Sequence, residues 1–359
     1  MTVFAGRLGI VIILALTFCV ESATAQKYSN EFLSIGIGGA AQAMGNAVVA
    51  STRDVYAGYW NPAGLAAIDE GAGPQLAAMH AEWFGGVAKY DYLGGTFTGN
   101  KPGHRLGLSV IRFGIDQIPN TLSLYESDGS INFDNLVEFS AADYAFIGSY
   151  ARKLGAADRG MRVGGNVKVI HRRIGPFATS WGFGLDLGLQ ADRGKWSFGA
   201  VARDITNTFN AWSFQFTEAE KETLSLTGNE LPINSLELTK PQLLLGIART
   251  FSLAKWQLRT ETNLLITTDG KRNTLLSGDP FSIDPSLGAE ASLRDFLFVR
   301  AGVNQFQRLS DFGGEQAWRF RPGLGIGLKL GKLLLDYGYT DLGSDRNTFS
   351  HIVSLRLSL

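Results

Sequence analysis

The sequence predicts an all-β protein, a transmembrane outer-membrane β-barrel of about fourteen antiparallel strands preceded by a short helical plug. Three observations carry this expectation. Apolar and polar residues alternate in segment after segment, the period-two signature of strands with one apolar and one polar face. The runs last about 10 to 13 residues, longer than the globular mode of about 5 to 6 and long enough for a tilted strand to cross a membrane. The connections alternate between short and long, as in a barrel with tight periplasmic turns and larger outer loops.

From the N-terminus, Arg7, the apolar run from Leu8 to Val20 and then Ala23-Thr24-Ala25 read as a signal peptide over residues 1–25, cleaved near Ala25. The run is too short to span a bilayer, and bulky Phe18 speaks against a lipoprotein box at Cys19. Cys19 is the single cysteine of the chain, so the exported protein needs no disulfide chemistry. The expected destination is the outer membrane, as an integral protein in contact with its lipid.

Residues 26–73 read as a plug or hatch segment. Ser34 to Ala41 is small and glycine-rich, and Ser51-Thr52-Arg53-Asp54 predicts an N-cap for a short helix through about Tyr59. Pro62 should restart a helix with Asn61 as its cap.

Residues 74–359 read as the barrel. Strands are expected to begin near Pro74, Val87, His104, Asp143, Gly160, Ser180, Lys195, Lys240, Lys255, Ile283, Phe296, Trp318, Lys332 and Phe349. Trp181, Phe183, Leu185, Leu187 and Leu189, for example, alternate with Gly182, Gly184, Asp186, Gly188 and Gln190. Short connections fall at Gly99–Gly103, Gly155–Arg159, Asp192–Gly194, Leu253–Ala254, Arg294–Asp295 and Gly331. Long ones are expected at Gly114–Ala142, Asp204–Thr239, Thr268–Ser282, Gln307–Ala317 and Asp341–Thr348, with Gly85-Gly86 a short exception. The chain ends on an amphipathic strand with Val353, Leu355, Leu357 and Leu359 on one face, which suits closure of the ring by the last strand.

Composition narrows the function. The 33 basic and 33 acidic side chains balance, which argues against a nucleic-acid partner, because phosphate neutralisation requires clustered Lys and Arg. Glycine, at 44 of 359 residues, exceeds the roughly 7% of average usage, and with 23 Phe, 10 Tyr and 7 Trp against one Cys this is the composition of a β-protein that gains nothing from disulfides. His80, His104, His171 and His351 are scattered without ligand spacing, so no metal site is expected. There is no Gly-x-Ser-x-Gly elbow, and Gly323-x-Gly325-x-Gly327 reads as tight packing on an inner face, not a dinucleotide loop. No catalytic residue and no cofactor are expected.

The period places Arg162, Lys168, Asp186, Arg259, Glu261, Arg319, Arg321, Lys329, Asp336 and Arg356 in the lumen. Either they form a selective pore, or they pair with one another and grip the plug; the presence of both signs favours pairing. An apolar route through such a lumen would have to be lined by Phe32, Leu33, Ile35, Met44 and Trp60. In the outer loop Asp204–Thr239, Phe209, Trp212, Phe214 and Phe216 form a candidate partner-docking surface, since aromatics anchor interfaces; the alternative is a loop folding its own aromatics over the barrel mouth.

One stretch resembles a known family. Glu31-Phe32-Leu33-Ser34-Ile35, Ala43-Met44-Gly45-Asn46-Ala47, Thr52-Arg53-Asp54 and Tyr59 followed by Trp60, Asn61, Pro62, Ala63, Gly64 and Leu65 occur in this order. The series resembles the PorV/PorQ family of Bacteroidetes outer-membrane proteins, within the wider group related to the FadL fatty-acid transporters. The first branch implies a non-enzymatic barrel of type IX protein secretion that binds a translocon and secreted proteins with C-terminal sorting domains. The second implies passage of fatty acids or other hydrophobic compounds through the barrel. The charged lumen favours the first.

Overall fold

The computed structural model describes residues 29–99, 101–124, 130–155, 160–231, 234–310, 316–341 and 349–359. The expected signal peptide lies outside the described residues. The alternating segments are strands throughout: β1 (Gln75–Trp83), β2 (Ala88–Thr98), β3 (His104–Asn120), β4 (Val137–Leu154), β5 (Met161–Ile174), β6 (Ala178–Arg193), β7 (Trp196–Arg203) and β8 (Thr208–Phe214). They continue with β9 (Leu236–Thr239), β10 (Gln242–Leu253), β11 (Trp256–Thr267), β12 (Ser282–Leu293), β13 (Leu297–Ser310), β14 (Gln316–Leu330), β15 (Leu333–Asp341) and β16 (Phe349–Ser358).

These strands close a fourteen-member antiparallel ring. β5 to β1 lead to β16, then down to β10, then β7 and β6, and β6 returns to β5. The first and last strands meet in register, Gln75 opposite Ser358. β8 and β9 add no members, because β7 and β8 lie end to end along β6 and β10 and β9 pair with them in turn. Asp204 and Asn207, both in the left-handed region at φ 54°, mark the break between β7 and β8. Closure pairs the backbone around the ring, as a bilayer-spanning sheet requires.

The outer face follows from the period. Leu93, Phe97, Leu108, Phe146, Val167, Trp181, Leu187, Leu324, Ile326 and Leu355 are all exposed on it, an apolar surface that water would not tolerate and hydrocarbon does. No helix among the described residues is long and apolar enough to cross a membrane.

The inner face differs from the expectation of a uniformly polar lumen. On β1 to β5 it carries Met79, Trp83, Tyr90, Tyr92, Ile111, Ile147 and Ile170, which form the main apolar core with Phe32, Ile37, Met44, Val55, Tyr56, Tyr59 and Trp60. Most of the ionic groups stand on the rest of the wall, with Arg105 on β3 and Arg162 and Lys168 on β5 as buried inward exceptions. The core therefore lies inside the ring, between one half of the wall and the N-terminal segment, whose residues from Phe32 to Ile68 are largely buried.

Three loop expectations need correction. Asp204–Thr239 is not an irregular loop: it holds β8, a helix at Glu218–Leu226 and β9. Gly114–Ala142 remains a long connection but a shorter one than expected, since β3 runs to Asn120 and β4 starts at Val137. A register shift between Ile115 and Ile118 interrupts the alternation there and hides the strand. The β5–β6 connection is a second short outer turn beside Phe84–Val87.

Candidate functional site

The N-terminal segment is built from short helical turns because Gly, Pro and Asn punctuate it. Gly39–Ala43 and Ala57–Trp60 are single helical turns, the second shorter than the helix expected from Ser51. Pro62–Ala67 is a 3-10 turn with Pro62 in its first turn, and the Asn61 side chain accepts a hydrogen bond from the Ala63 N–H at 3.2 Å, as a capping residue should.

The residues singled out as a motif dock this segment on the wall. Asn61, fully buried, donates from Nδ2 to the carbonyls of Val49 at 3.0 Å and Leu189 on β6 at 2.9 Å. Pro62 and Ala63 lie over Gly164 and Gly188, where any β-carbon would strike them. Gly64 faces the Thr52 carbonyl, Leu65 is fully buried, and Trp60 Nε1 donates to the Ile37 carbonyl at 3.0 Å. On the opposite wall, Gly302 and Gly323 sit against the backbone of Met44 and Gln42. Inward glycines thus let two backbones meet, which accounts for part of the glycine excess.

Most of the inward charges are paired, and Lys329 on β14 is exposed. Lys168 reaches Asp186 at 2.7 Å and Asp204 at 2.5 Å, all three buried between β5, β6 and the β7–β8 break. Arg300 bridges Glu290 at 2.6 Å and Asp336 at 2.7 Å, and Arg259 reaches Glu290 at 3.0 Å. Several grip the N-terminal segment directly: Arg356 pairs with Asp54, and Glu261 accepts from the Ala50 N–H at 2.7 Å. Arg53 and Arg162 share Asp192, at 2.6 and 2.8 Å. Arg321 lies over the Trp83 ring, 4.8 Å from its centroid.

Two cavities flank the segment. The lower one, about 220 Å³, lies between Ile37, Met44, Val48 and Trp60 on one side and Arg259, Glu290, Arg300, Asp336 and Arg356 on the other, close to the periplasmic turns. The upper one, about 30 Å³, is lined by Leu33, Tyr59, Ile147, Lys168, Arg203 and Gln242, towards the outer ends of the strands. Tyr59 and Trp60, packed edge to face at 4.8 Å, stand between the two. Arg203 stacks over both rings, at 4.9 and 5.8 Å. Tyr59 Oη donates to the Leu33 carbonyl at 2.6 Å, and burial pushes the hydroxyls of Tyr59 and Tyr56 up, so both stay neutral donors.

At the outer rim, the four aromatics of the expected docking loop are divided. Phe209 is exposed on β8 and Trp212 is buried beneath the Arg172 guanidinium at 5.0 Å. Trp212, Phe214, Phe216 and Phe177 stack in succession at 6.1, 6.5 and 5.7 Å, a ladder across the barrel mouth. Arg203 and Ile147 were missed as site residues; the alternation of β7 and β4 assigns their faces, but only the fold brings them beside Tyr59. Among the described residues no cluster of His, Cys, Asp and Glu could hold a metal ion.

No protein-family profile matches the chain, and no curated protein matches it. Solved structures do. The CymD monoaromatic hydrocarbon channel superposes with a TM-score of 0.54 at 15% identity, over 90% of this chain and 98% of that one. The toluene transporter TbuX of Ralstonia pickettii gives 0.53 at 13%, over 90% and 98%, and a FadL homologue from Pseudomonas aeruginosa 0.52 at 14%, over 89% and 97%. At such identity the likeness is one of fold. The protein is a closed fourteen-stranded antiparallel β-barrel with the fold of FadL-like outer-membrane barrels; nothing in these likenesses supports the PorV/PorQ branch of the resemblance.

Proposed function

We propose that the protein is a non-enzymatic outer-membrane channel for small hydrophobic compounds. The observation that carries this reading is the pair of cavities divided by Tyr59 and Trp60 inside a closed ring. Leu33 on the upper side and Met44 and Trp60 on the lower side belong to the apolar route that the sequence allowed. The charged lumen, which argued against transport, loses part of that force because most of its buried ions pair with one another or with the N-terminal segment. By volume alone, the lower cavity of about 220 Å³, apolar on the Ile37, Met44, Val48 and Trp60 side and ionic on the other, exceeds the volume of about 150 Å³ of an apolar cavity that holds benzene. The names of the similar structures, a monoaromatic hydrocarbon channel and a toluene transporter, point to the same class. A ligand would enter above Tyr59, and a shift of the Tyr59–Trp60 turn would join the cavities.

The test is uptake of radiolabelled toluene by cells that express the chain in an outer membrane lacking other channels of this class. Uptake several-fold above the empty strain is expected, and filling the lower cavity with Met44→Trp should reduce it. Uptake equal to the empty strain, with the barrel folded in the membrane, would sink the proposal.

A second reading keeps the docking of secreted proteins or a translocon. The half-buried Phe214 and Phe216 at the outer rim support it, whereas Phe209 lies opposite Phe183 on the lipid-facing side of the sheet. Affinity purification from gently solubilised membranes tests it: secreted proteins with a shared C-terminal domain should co-purify and be lost on replacing Phe214 and Phe216 by Ser.

A further inference from the structure

The outer wall carries a polar groove that transport does not use. It is lined by Arg112 on β3, Tyr144 on β4, and His171 and Arg173 on β5, and encloses about 510 Å³. The four side chains are neighbours by register, with Arg112 opposite Tyr144, Tyr144 opposite His171, and Ala142 opposite Arg173. By the period of two they point to the membrane side of the sheet, as do Leu108 and Val110 on β3, Phe146 on β4, and Val167 and Val169 on β5. Phe139 and the Gly175-Pro176 turn close the outer end.

No carboxylate is among the described lining residues, and Asp116, beside Ser140 at the edge, is paired with Lys89 at 3.1 Å. Asp91 meets Arg112 from the β2 side at 3.3 Å and is shared with His80 at 2.7 Å. The Arg173 Nε donates to the Gly175 carbonyl at 3.0 Å, which fixes its guanidinium at the rim. His171 lies against the Trp181 ring, centroids 4.3 Å apart. Two guanidiniums, an imidazole and a phenol thus converge on one opening, a donor set suited to phosphate oxygens.

Immediately towards the periplasmic side the groove runs into an apolar depression of about 680 Å³, lined by Leu93, Leu108, Val110, Phe146, Val167 and Val169. Val110, Phe146 and Val169 are each the next outward residue after Arg112, Tyr144 and His171. The depression exists because Gly95 and Gly148 carry no side chain on this face; a β-carbon at Gly148 would meet nothing closer than 4.0 Å. A basic pocket above a chain-shaped apolar hollow matches an amphiphile lying along the wall.

We propose that this surface is a binding site for an outer-leaflet lipid with a phosphorylated headgroup: Arg112, Arg173, His171 and Tyr144 hold the phosphate, and an acyl chain fills the hollow at Gly148. The test is native mass spectrometry of the purified full chain in detergent, titrated with bisphosphorylated lipid A or with phosphatidylcholine, and with inorganic phosphate as competitor. Lipid A should bind at least about tenfold tighter than phosphatidylcholine, and Arg112→Gln with Arg173→Gln should lose at least about tenfold, the equivalent of one charge-assisted hydrogen bond. Gly148→Leu, which leaves the cations in place and has room for its side chain, should weaken lipid A as well. Unchanged lipid A binding by the folded Arg112→Gln, Arg173→Gln protein overturns the proposal. So does displacement by inorganic phosphate together with indifference to Gly148→Leu, which would make this a free-anion site. If the double variant does not fold, the Gly148→Leu result decides alone.

Discussion

At the scale of single residues, the contacts of Asn61 and Gly302 decide whether the N-terminal segment stays in the lumen. Asn61 satisfies three backbone groups from a fully buried position. Asn61→Ala removes one of the two side-chain donors to the Val49 carbonyl, which keeps Gln190 Nε2 at 3.0 Å, and takes its side-chain donor from the Leu189 carbonyl, an expected cost of about 1–3 kcal/mol. Hydrogen exchange should then quicken in residues 49–65 while the ring strands keep their protection; equal loss across the ring would show that Asn61 supports the barrel instead. Gly302→Val has a different mechanism. Its side chain has no space against the Met44 and Gly45 backbone, so residues 41–47 must lift, with an overpacking cost of about 1–3 kcal/mol. Faster exchange confined to those residues is the expected result. The Asn61-Pro62 cap was legible in the sequence because capping is local chemistry. The partner carbonyl on Leu189 was not, because it lies 128 positions away and depends on how the strands close.

At the scale of elements, all fourteen barrel strands were readable from alternation, and the places where reading failed have physical causes. β8 places Thr208, Asn210 and buried Trp212 inward and Phe209 outward. The irregular spacing of Phe209, Trp212, Phe214 and Phe216 masks its period. The helix at Glu218–Leu226 did have a signal: Thr217 and Glu220 form a capping box, the Thr-x-x-Glu pattern that opens helices. The break between β7 and β8 sets Asp204 beside Lys168, and here the element makes a testable statement. Lys168 is 5% exposed and faces two carboxylates. Lys168→Met leaves both uncompensated, and an unfolding cost of about 3–5 kcal/mol is expected. Adding Asp186→Asn and Asp204→Asn should recover most of it, measured as the urea midpoint in detergent. If the triple variant is no more stable than Lys168→Met, the three groups do not act as one unit.

At the scale of the whole molecule, the ring and the N-terminal segment complete each other. One half of the wall turns Met79, Trp83, Tyr90 and Tyr92 inward onto the segment; the other half turns ions inward, and Arg356 and Glu261 spend theirs on Asp54 and Ala50. Removing residues 30–68 while keeping the export signal therefore has two coupled consequences. The apolar half of the lumen meets water, so the barrel should lose its heat-resistant migration on gels at a lower temperature than the full chain. The ionic half lines an open path, so planar bilayers should show stepwise ion conductance where the full chain is nearly silent. A stable deletion variant that stays silent would mean that the rim elements, β8 and the Trp212–Phe216 ladder among them, close the mouth. An unstable variant that conducts would assign closure to the N-terminal segment, and with it the Tyr59–Trp60 turn between the two cavities. Ion flow and heat resistance are separate readouts, so they distinguish a segment that only fills the lumen from one that also controls passage.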